Sequence, residues 1–282
     1  ADPPLLHTMT SAAIAPPTPA PLPSHTLVLM AAACGLCAGA NYFNQPLLHS
    51  MAQELGVNDA QAASTVTLAQ VSYALGLLLL VPLGDMLERR RLVLALMGLA
   101  ATGMLLSGLS GATHSFALLV LGTGMTGLFS VAAQVLVPMA ASFAAPGTGG
   151  RAVGLVMSGL LVGILAARSV AGVLSGLAGW NAVYWVGAVA TLAIAVLLAR
   201  ALPSAPPATR LGYGQVLRSL GQLLRQHPRL RSRALIGGLG FATVSVLFST
   251  MALLLAGPAY GFSDTQIGLI GIVGIAGALM AN

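Results

Sequence analysis

Apolar residues run along this chain in blocks of about 20, the length that crosses a hydrocarbon core as a helix, and short polar breaks separate them. The blocks lie near residues 27–48, 63–83, 92–110, 115–138, 152–177, 181–202 and 234–256, and another opens at 265. Each break is chemically distinct. Glu54, Gly56, Asn58 and Asp59 form the first, Asp85 to Arg91 the second, and SGATHS, APGTGGR and GWN the next three. A Pro- and Arg-rich stretch makes the sixth and GPAYGFSD the seventh. The pattern predicts an all-α membrane protein, a helical bundle in four parts: a disordered Pro- and Ala-rich tail over 1–26, six spans over 27–202, a linker over 203–233, and the start of a second group of spans over 234–282.

The tail has no basic stretch ahead of the first apolar block, so it does not read as a cleavable signal. In the linker, LPSAPPATR is connector by composition. The YGQVLRSLGQLLRQHP that follows puts Tyr213, Val216, Leu217, Leu220, Leu223 and Leu224 on one helical face, with Gln215, Arg218, Gln222 and Arg225 opposite. Such a helix either lies on a membrane surface or is a solvated connector, and its place between spans favours the surface.

Composition fixes the solvent. Hydrophobic residues make up 57% of the chain and charged residues 6%, against roughly a quarter charged in soluble domains. The surface therefore faces lipid. There is no Lys, and the Arg residues gather in alternate breaks: Arg89, Arg90 and Arg91, then Arg151, then Arg200 to Arg233. Cytoplasmic loops retain such residues, which predicts a multi-pass plasma-membrane protein with a cytoplasmic amino terminus. The net charge of +6 then reports topology and not a nucleic-acid partner. Cys34 and Cys37, one helical turn apart, read as packing. No carboxylate pair, His/Cys cluster or nucleophile–base spacing occurs in or near a span, so no enzyme, metal site or cofactor is expected.

Polar residues inside the apolar blocks are the candidate chemistry, because a polar group in hydrocarbon needs a partner or a watery cavity. Asn41, Gln45 and Leu48 recur at i, i+4, i+7 with Asn44 and Tyr42 beside them, which gives the first span a polar face and leaves Phe43 and Leu47 to pack. Gln70 and Tyr73 make an i, i+3 pair on the second span. At 1.5 Å per residue, Asn41 stands roughly 21 Å above Leu27 and Gln70 roughly 10 Å below Ala63, a shared level in the outer half. Arg168 joins them from the fifth span, on an i, i+4 line with Gly172 and Gly176 that suits a cavity or a close helix. Two readings stand for these side chains. They line a translocation cavity, or the amides bond helices together while Arg168 bonds carbonyls or snorkels outward. Gln134, with Pro138 after it, either lines the inner part of the path or supports a kink.

Six spans, a central loop and further spans, with VPLGDMLERRRLVL between the second and third, resemble the major facilitator superfamily. Leu83, Asp85, Arg89 and Arg90 fit the family pattern Gly-x-Leu-Ala-Asp-Arg-x-Gly-Arg-Arg/Lys, while Val81, Glu88 and Met86 depart from it. With NYFNQPLL and SGLLVGILAAR, the chain is similar to the bacterial branch described as drug or sugar efflux permeases. The resemblance implies a twelve-span transporter of two six-span halves, of which this chain would be the amino-terminal part. It also implies that Asp85, Arg89 and Arg90 latch the halves, although charges at loop ends also anchor topology.

The expected function is secondary export of a small organic solute by alternating access. An uptake symporter, or a truncated protein that binds partners through Gly159 to Gly163 without transporting, are the alternatives. Arg168 suits an anionic or polyhydroxyl solute, whereas glycine-rich apolar walls suit a lipophilic drug equally. Protons are the coupling ion such a family implies, but Asp2, Glu54, Asp59, Asp85, Glu88 and Asp264 all fall in breaks or the tail, and Thr123 stands where the family places a fourth-span Arg.

Overall fold

The computed structural model describes residues 22–204 and 212–270. Most of the predicted tail, most of the LPSAPPATR connector and the last block beyond residue 270 lie outside the described residues. Within them the helices are α1 (Ser24–Ala40), α2 (Leu48–Leu55), α3 (Asp59–Leu79), α4 (Leu83–Met86), α5 (Arg89–Thr113), α6 (Phe116–Phe129), α7 (Ala132–Ser142), α8 (Gly149–Ala178), α9 (Trp180–Ala201), α10 (Tyr213–Gln226) and α11 (Pro228–Ala256). A further helical segment covers 264–270. Joined across their short breaks, they make seven stretches long and apolar enough to cross a membrane: Ser24–Leu55, Asp59–Met86, Arg89–Thr113, Phe116–Ser142, Gly149–Ala178, Trp180–Ala201 and Pro228–Ala256.

Local chemistry sets the breaks. Pro46 has no amide hydrogen to give the Tyr42 carbonyl and its ring crowds that carbonyl. The chain therefore passes through a 3₁₀ turn at Gln45–Leu47, with bonds from Gln45 N to Tyr42 O and from Leu47 N to Asn44 O. This corrects the expected continuous face of Asn41, Gln45 and Leu48: the helix is interrupted there, and Tyr42, Phe43 and Leu47 are as buried as the amides. In the fourth span the interruption falls at Ser130, whose hydroxyl bonds back to Thr126 O at 2.6 Å, and the helix continues through Pro138. A capping box of Asn58 and Gln61 opens α3, and the Glu88 carboxylate accepts from the amides of Arg90 and Arg91 to open α5. The predicted basic helix is present as α10, and its Tyr213 hydroxyl donates to Leu79 O, an unused carbonyl at the end of α3, at 2.8 Å.

The bundle has an arginine-rich end, formed by the turns before α5, before α8 and around α10, and an arginine-free end, formed by residues 56–58, 114–115, 179 and 257–263. Leu121, Leu161, Leu177, Val189 and Val196 lie exposed around its flank, where lipid and not water is the compatible solvent. One buried cluster, around Met30, Cys34, Met97, Leu136 and Leu198, fills the arginine-rich half. A second, around Phe43, Met51, Met104, Trp180 and Tyr184, fills the other. Both cysteines are free and buried, as packing requires.

Small residues let α1 and α8 meet backbone to backbone, as helices do when lipid offers no hydrophobic drive. An ideal Cβ on Gly35 would stand 2.7 Å from Gly159 O, and one on Gly39 would stand 2.9 Å from Gly163 O. The glycine face of Gly159 and Gly163, expected to be available to a partner, is thus occupied by α1 of the same chain. Replacing Gly35 by Val must push the two helices apart, at a cost of about 1–3 kcal/mol. The detergent-solubilised protein is expected to melt lower in Gly35→Val and unchanged in Gly154→Ala, whose Cβ meets nothing within 4 Å.

Candidate functional site

The turn forced by Pro46 aims Gln45 across to α8, where Arg168 Nε donates to Gln45 Oε1 at 2.6 Å. The two residues are 1% and 5% exposed, so the guanidinium is held inside the bundle and does not snorkel to an end. Its central carbon lies 4.7 Å from the centroid of the Tyr42 ring and 4.0 Å from that of Phe248, within the range of cation–π attraction. Phe248 belongs to α11, so the first and seventh spans both cover a charge carried by the fifth. The ion pairs among the described residues join His49 to Asp59, Arg89 to Asp85 and Arg91 to Glu88; none reaches Arg168. Because Gln45 accepts with its carbonyl oxygen, its Nε2 is turned away, buried, and without an acceptor among the described residues.

The remaining predicted residues divide. Asn41 and Asn44 lie beside a small cavity of about 10 Å³ shared with Thr123, Thr126 and Tyr184. There Asn44 Nδ2 donates to Thr65 Oγ1 at 3.3 Å, and Asn41 Nδ2 reaches back to Cys37 O at 3.5 Å. The Oδ1 atoms of both, with the hydroxyls of Thr123 and Thr126, are buried without partners among the described residues. Tyr73 does not share the level of Arg168. Its hydroxyl accepts from Gln134 Nε2 at 3.2 Å and its ring packs on the cluster of the arginine-rich half. Gln134 is thereby an interhelical partner of α3. Gln70 Nε2 is buried and unpartnered among the described residues.

A second constellation sits at the arginine-free end. Ser263 and Gln266 cap each other's backbone amides and start the last described helix at Asp264. Asp264 Oδ2 accepts from Ser50 Oγ on α2 and from Ser175 Oγ on α8, both at 2.6 Å. Thr265 Oγ1 donates to Gly172 O and Ser169 Oγ to Gly268 O, both at 2.9 Å. The line of Arg168, Gly172 and Gly176 therefore does meet a close helix. Asp264, read from sequence as a loop residue, instead ties the last helix to two earlier spans. The SDTQ capping box was the signal that could have found its helix; nothing in the sequence pointed to Ser50, Ser175 or Phe248.

At the arginine-rich end, Arg89 donates to Asp85 Oδ1 at 3.2 Å and to Gly84 O at 2.9 Å, while Arg90 donates to Ala199 O in the last turn of α9. The three residues expected to latch two halves make these contacts within the first six spans.

Comparison with known proteins places this geometry. The family model of the Major Facilitator Superfamily matches residues 29–282. The chain is 49% identical over 252 residues to the uncharacterized transporter YgaY of Escherichia coli O157:H7, covering 88% of its own length and 63% of that protein's. It is 33% identical over 257 residues to the probable transporter SCO4007 of Streptomyces coelicolor, covering 90% and 59%. It thus spans about three fifths of the length of these curated relatives. Among solved structures it is similar to a D-xylose–proton symporter, with a TM-score of 0.58 at 15% identity over 89% of this chain and 65% of that one. It is also similar to a peptide transporter POT in complex with sulfate, with a TM-score of 0.53 at 17% identity over 91% and 51%. At these identities the likeness is one of fold.

The Gln45 carbonyl is the hydrogen-bond acceptor Arg168 has among the described side chains. Gln45→Leu leaves a buried cation with ring faces alone, and a loss of about 2–3 kcal/mol is expected. A melting temperature in detergent that did not fall would show that the bond contributes nothing to the fold.

Proposed function

The chain belongs to the major facilitator superfamily, and from that premise we propose that it forms the solute-handling part of a secondary transporter that exports a small organic solute across the bacterial inner membrane by alternating access. Arg168 is the observation that carries the proposal. A charge kept well inside a membrane bundle costs several kcal/mol, and this one, carried by the fifth span, is met by residues of two other spans that lie far apart in sequence, Gln45 and Tyr42 on the first and Phe248 on the seventh. Tyr42, Gln45, Arg168 and Phe248 are the binding residues in this reading, with Asn41, Asn44 and Gln70 as polar groups beside the path. Export follows the branch that NYFNQPLL and SGLLVGILAAR resemble.

The arginine-rich end faces the cytoplasm by the positive-inside rule. With that orientation, the Asp264 contacts to Ser50 and Ser175 lie on the outer side of the site and hold it closed there. Rocking of the second half must break both bonds to open the outer side. In this mechanism Asp85, Arg89 and Arg90 brace the cytoplasmic ends of spans two, three and six, and they act as a latch in the opposite state, when the inner side closes.

Deleting the gene is expected to raise the intracellular level of the exported solute in an untargeted metabolite comparison, and the complete gene should restore it where Arg168→Ala does not. An unchanged profile in both strains would sink the proposal. Asp264→Ala removes two charge-assisted bonds, together worth about 2 kcal/mol at a partly exposed position, which shifts the balance of states by roughly 30-fold. A single cysteine introduced near Tyr42 should then react faster with an impermeant thiol reagent applied from outside.

A further inference from the structure

We infer that the site around Arg168 is built for an organic monocarboxylate, whose oxygens take the free edge of the guanidinium and the amide of Gln45. The inference rests on the transport reading and narrows it to one charge class. The groups set against the Arg168 guanidinium are one amide and two rings. Arg168 Nε is occupied by Gln45 Oε1, and its terminal nitrogens make no hydrogen bond among the described residues. Gln45 Nε2 is a buried donor that finds no acceptor among the described residues. Tyr42 and Phe248 cover the guanidinium carbon with ring faces and contribute no formal negative charge. The carboxylates of the arginine-free half are engaged elsewhere: Asp264 accepts from Ser50 and Ser175, Glu54 accepts from Trp180 Nε1 at 2.7 Å, and Asp59 lies 3.5 Å from the His49 ring.

A guanidinium keeps its charge in proteins and presents its free edge as two parallel donors. A carboxylate matches that fork, and the second amide donor of Gln45 suits the acceptor capacity it has left. One cation stands in the site, so one negative charge balances it. A dicarboxylate or phosphate dianion would bring a second charge with no partner. The flanking Tyr42 and Phe248 rings suit an apolar body on the acid.

The test uses protein from the complete gene, purified in detergent, with thermal unfolding as the readout. Benzoate, lactate and acetate are each titrated against their own amides, with succinate and inorganic phosphate at matched ionic strength. At least one monocarboxylate is expected to stabilise the protein saturably while its amide does not. Arg168→Gln should abolish that shift. Gln45→Glu is the second variant, because it places an internal carboxylate beside the guanidinium. It should raise the melting temperature without ligand and weaken the monocarboxylate at least tenfold. The inference is overturned if no monocarboxylate binds, if amides or dianions act equally well, or if Gln45→Glu leaves both the melt and the affinity unchanged, as an ion pair supplied from elsewhere in the chain would dictate. Counterflow in proteoliposomes separates the two claims. Flux of a neutral solute with no monocarboxylate binding keeps the transporter and discards the anion, whereas no flux of any solute discards the transporter.

Discussion

The backbone approach of α1 to α8 is the constraint on which the site depends. Gly35 and Gly39 on one helix and Gly159 and Gly163 on the other remove the side chains that would hold the two axes apart. Only at that separation can Gln45, just past the end of α1, reach the Arg168 that α8 carries one turn beyond Gly163 and Ile164. In lipid, where burying a leucine against another leucine gains little, such close contact and the interhelical hydrogen bonds it permits must hold the bundle. The same device recurs where the last helix meets α8: Gly172, Gly176 and Gly268 allow the approach, and Thr265 and Ser169 bond across it.

Charge is distributed by the same solvent. Arg89, Arg90 and Arg91 sit at the end of a span, where Asp85, Glu88 and the carbonyls of Gly84 and Ala199 meet them. Acids follow the rule too: Glu54 anchors Trp180 between the first and sixth spans, and Asp264 sits at the arginine-free end. Arg168 departs from this pattern, and its neighbours compensate with a carbonyl oxygen and two ring faces in place of a counter-ion. Such compensation is partial, which is why the residue reads as functional.

The spans were legible because a 20-residue apolar block has few alternatives in a chain with so little charge. Their ends were not. The first span runs from Ser24 to Leu55 and the seventh starts at Pro228, so helix continues into polar sequence on both sides of the apolar blocks, here with no side-chain cap at either start. Arg168, Tyr42 and Gln45 were found by one argument, the cost of polar atoms in hydrocarbon, and they do meet. That argument is blind to which helices are neighbours. It grouped Tyr73 with them, whereas α3 delivers Tyr73 to Gln134, and it overlooked Phe248 because an aromatic residue in an apolar span carries no polar signal. Pro46 was visible, yet its effect on the helical face went unread because periodicity assumes an unbroken helix.

The break at Pro46 also divides the first span mechanically. Below it, α1 is fixed against α8 by glycine contacts; above it, α2 is an eight-residue rigid arm. Ser50, one of the two hydroxyls bound to Asp264, lies on that arm, and Gln45 lies in the turn at its foot. Five residues of one short arm thus separate the hydroxyl that meets Asp264 from the amide that meets the buried guanidinium, with the proline turn between them. In the proposed transport cycle α2 would swing on that turn as Asp264 is freed, with the amide that holds Arg168 lying at the hinge itself.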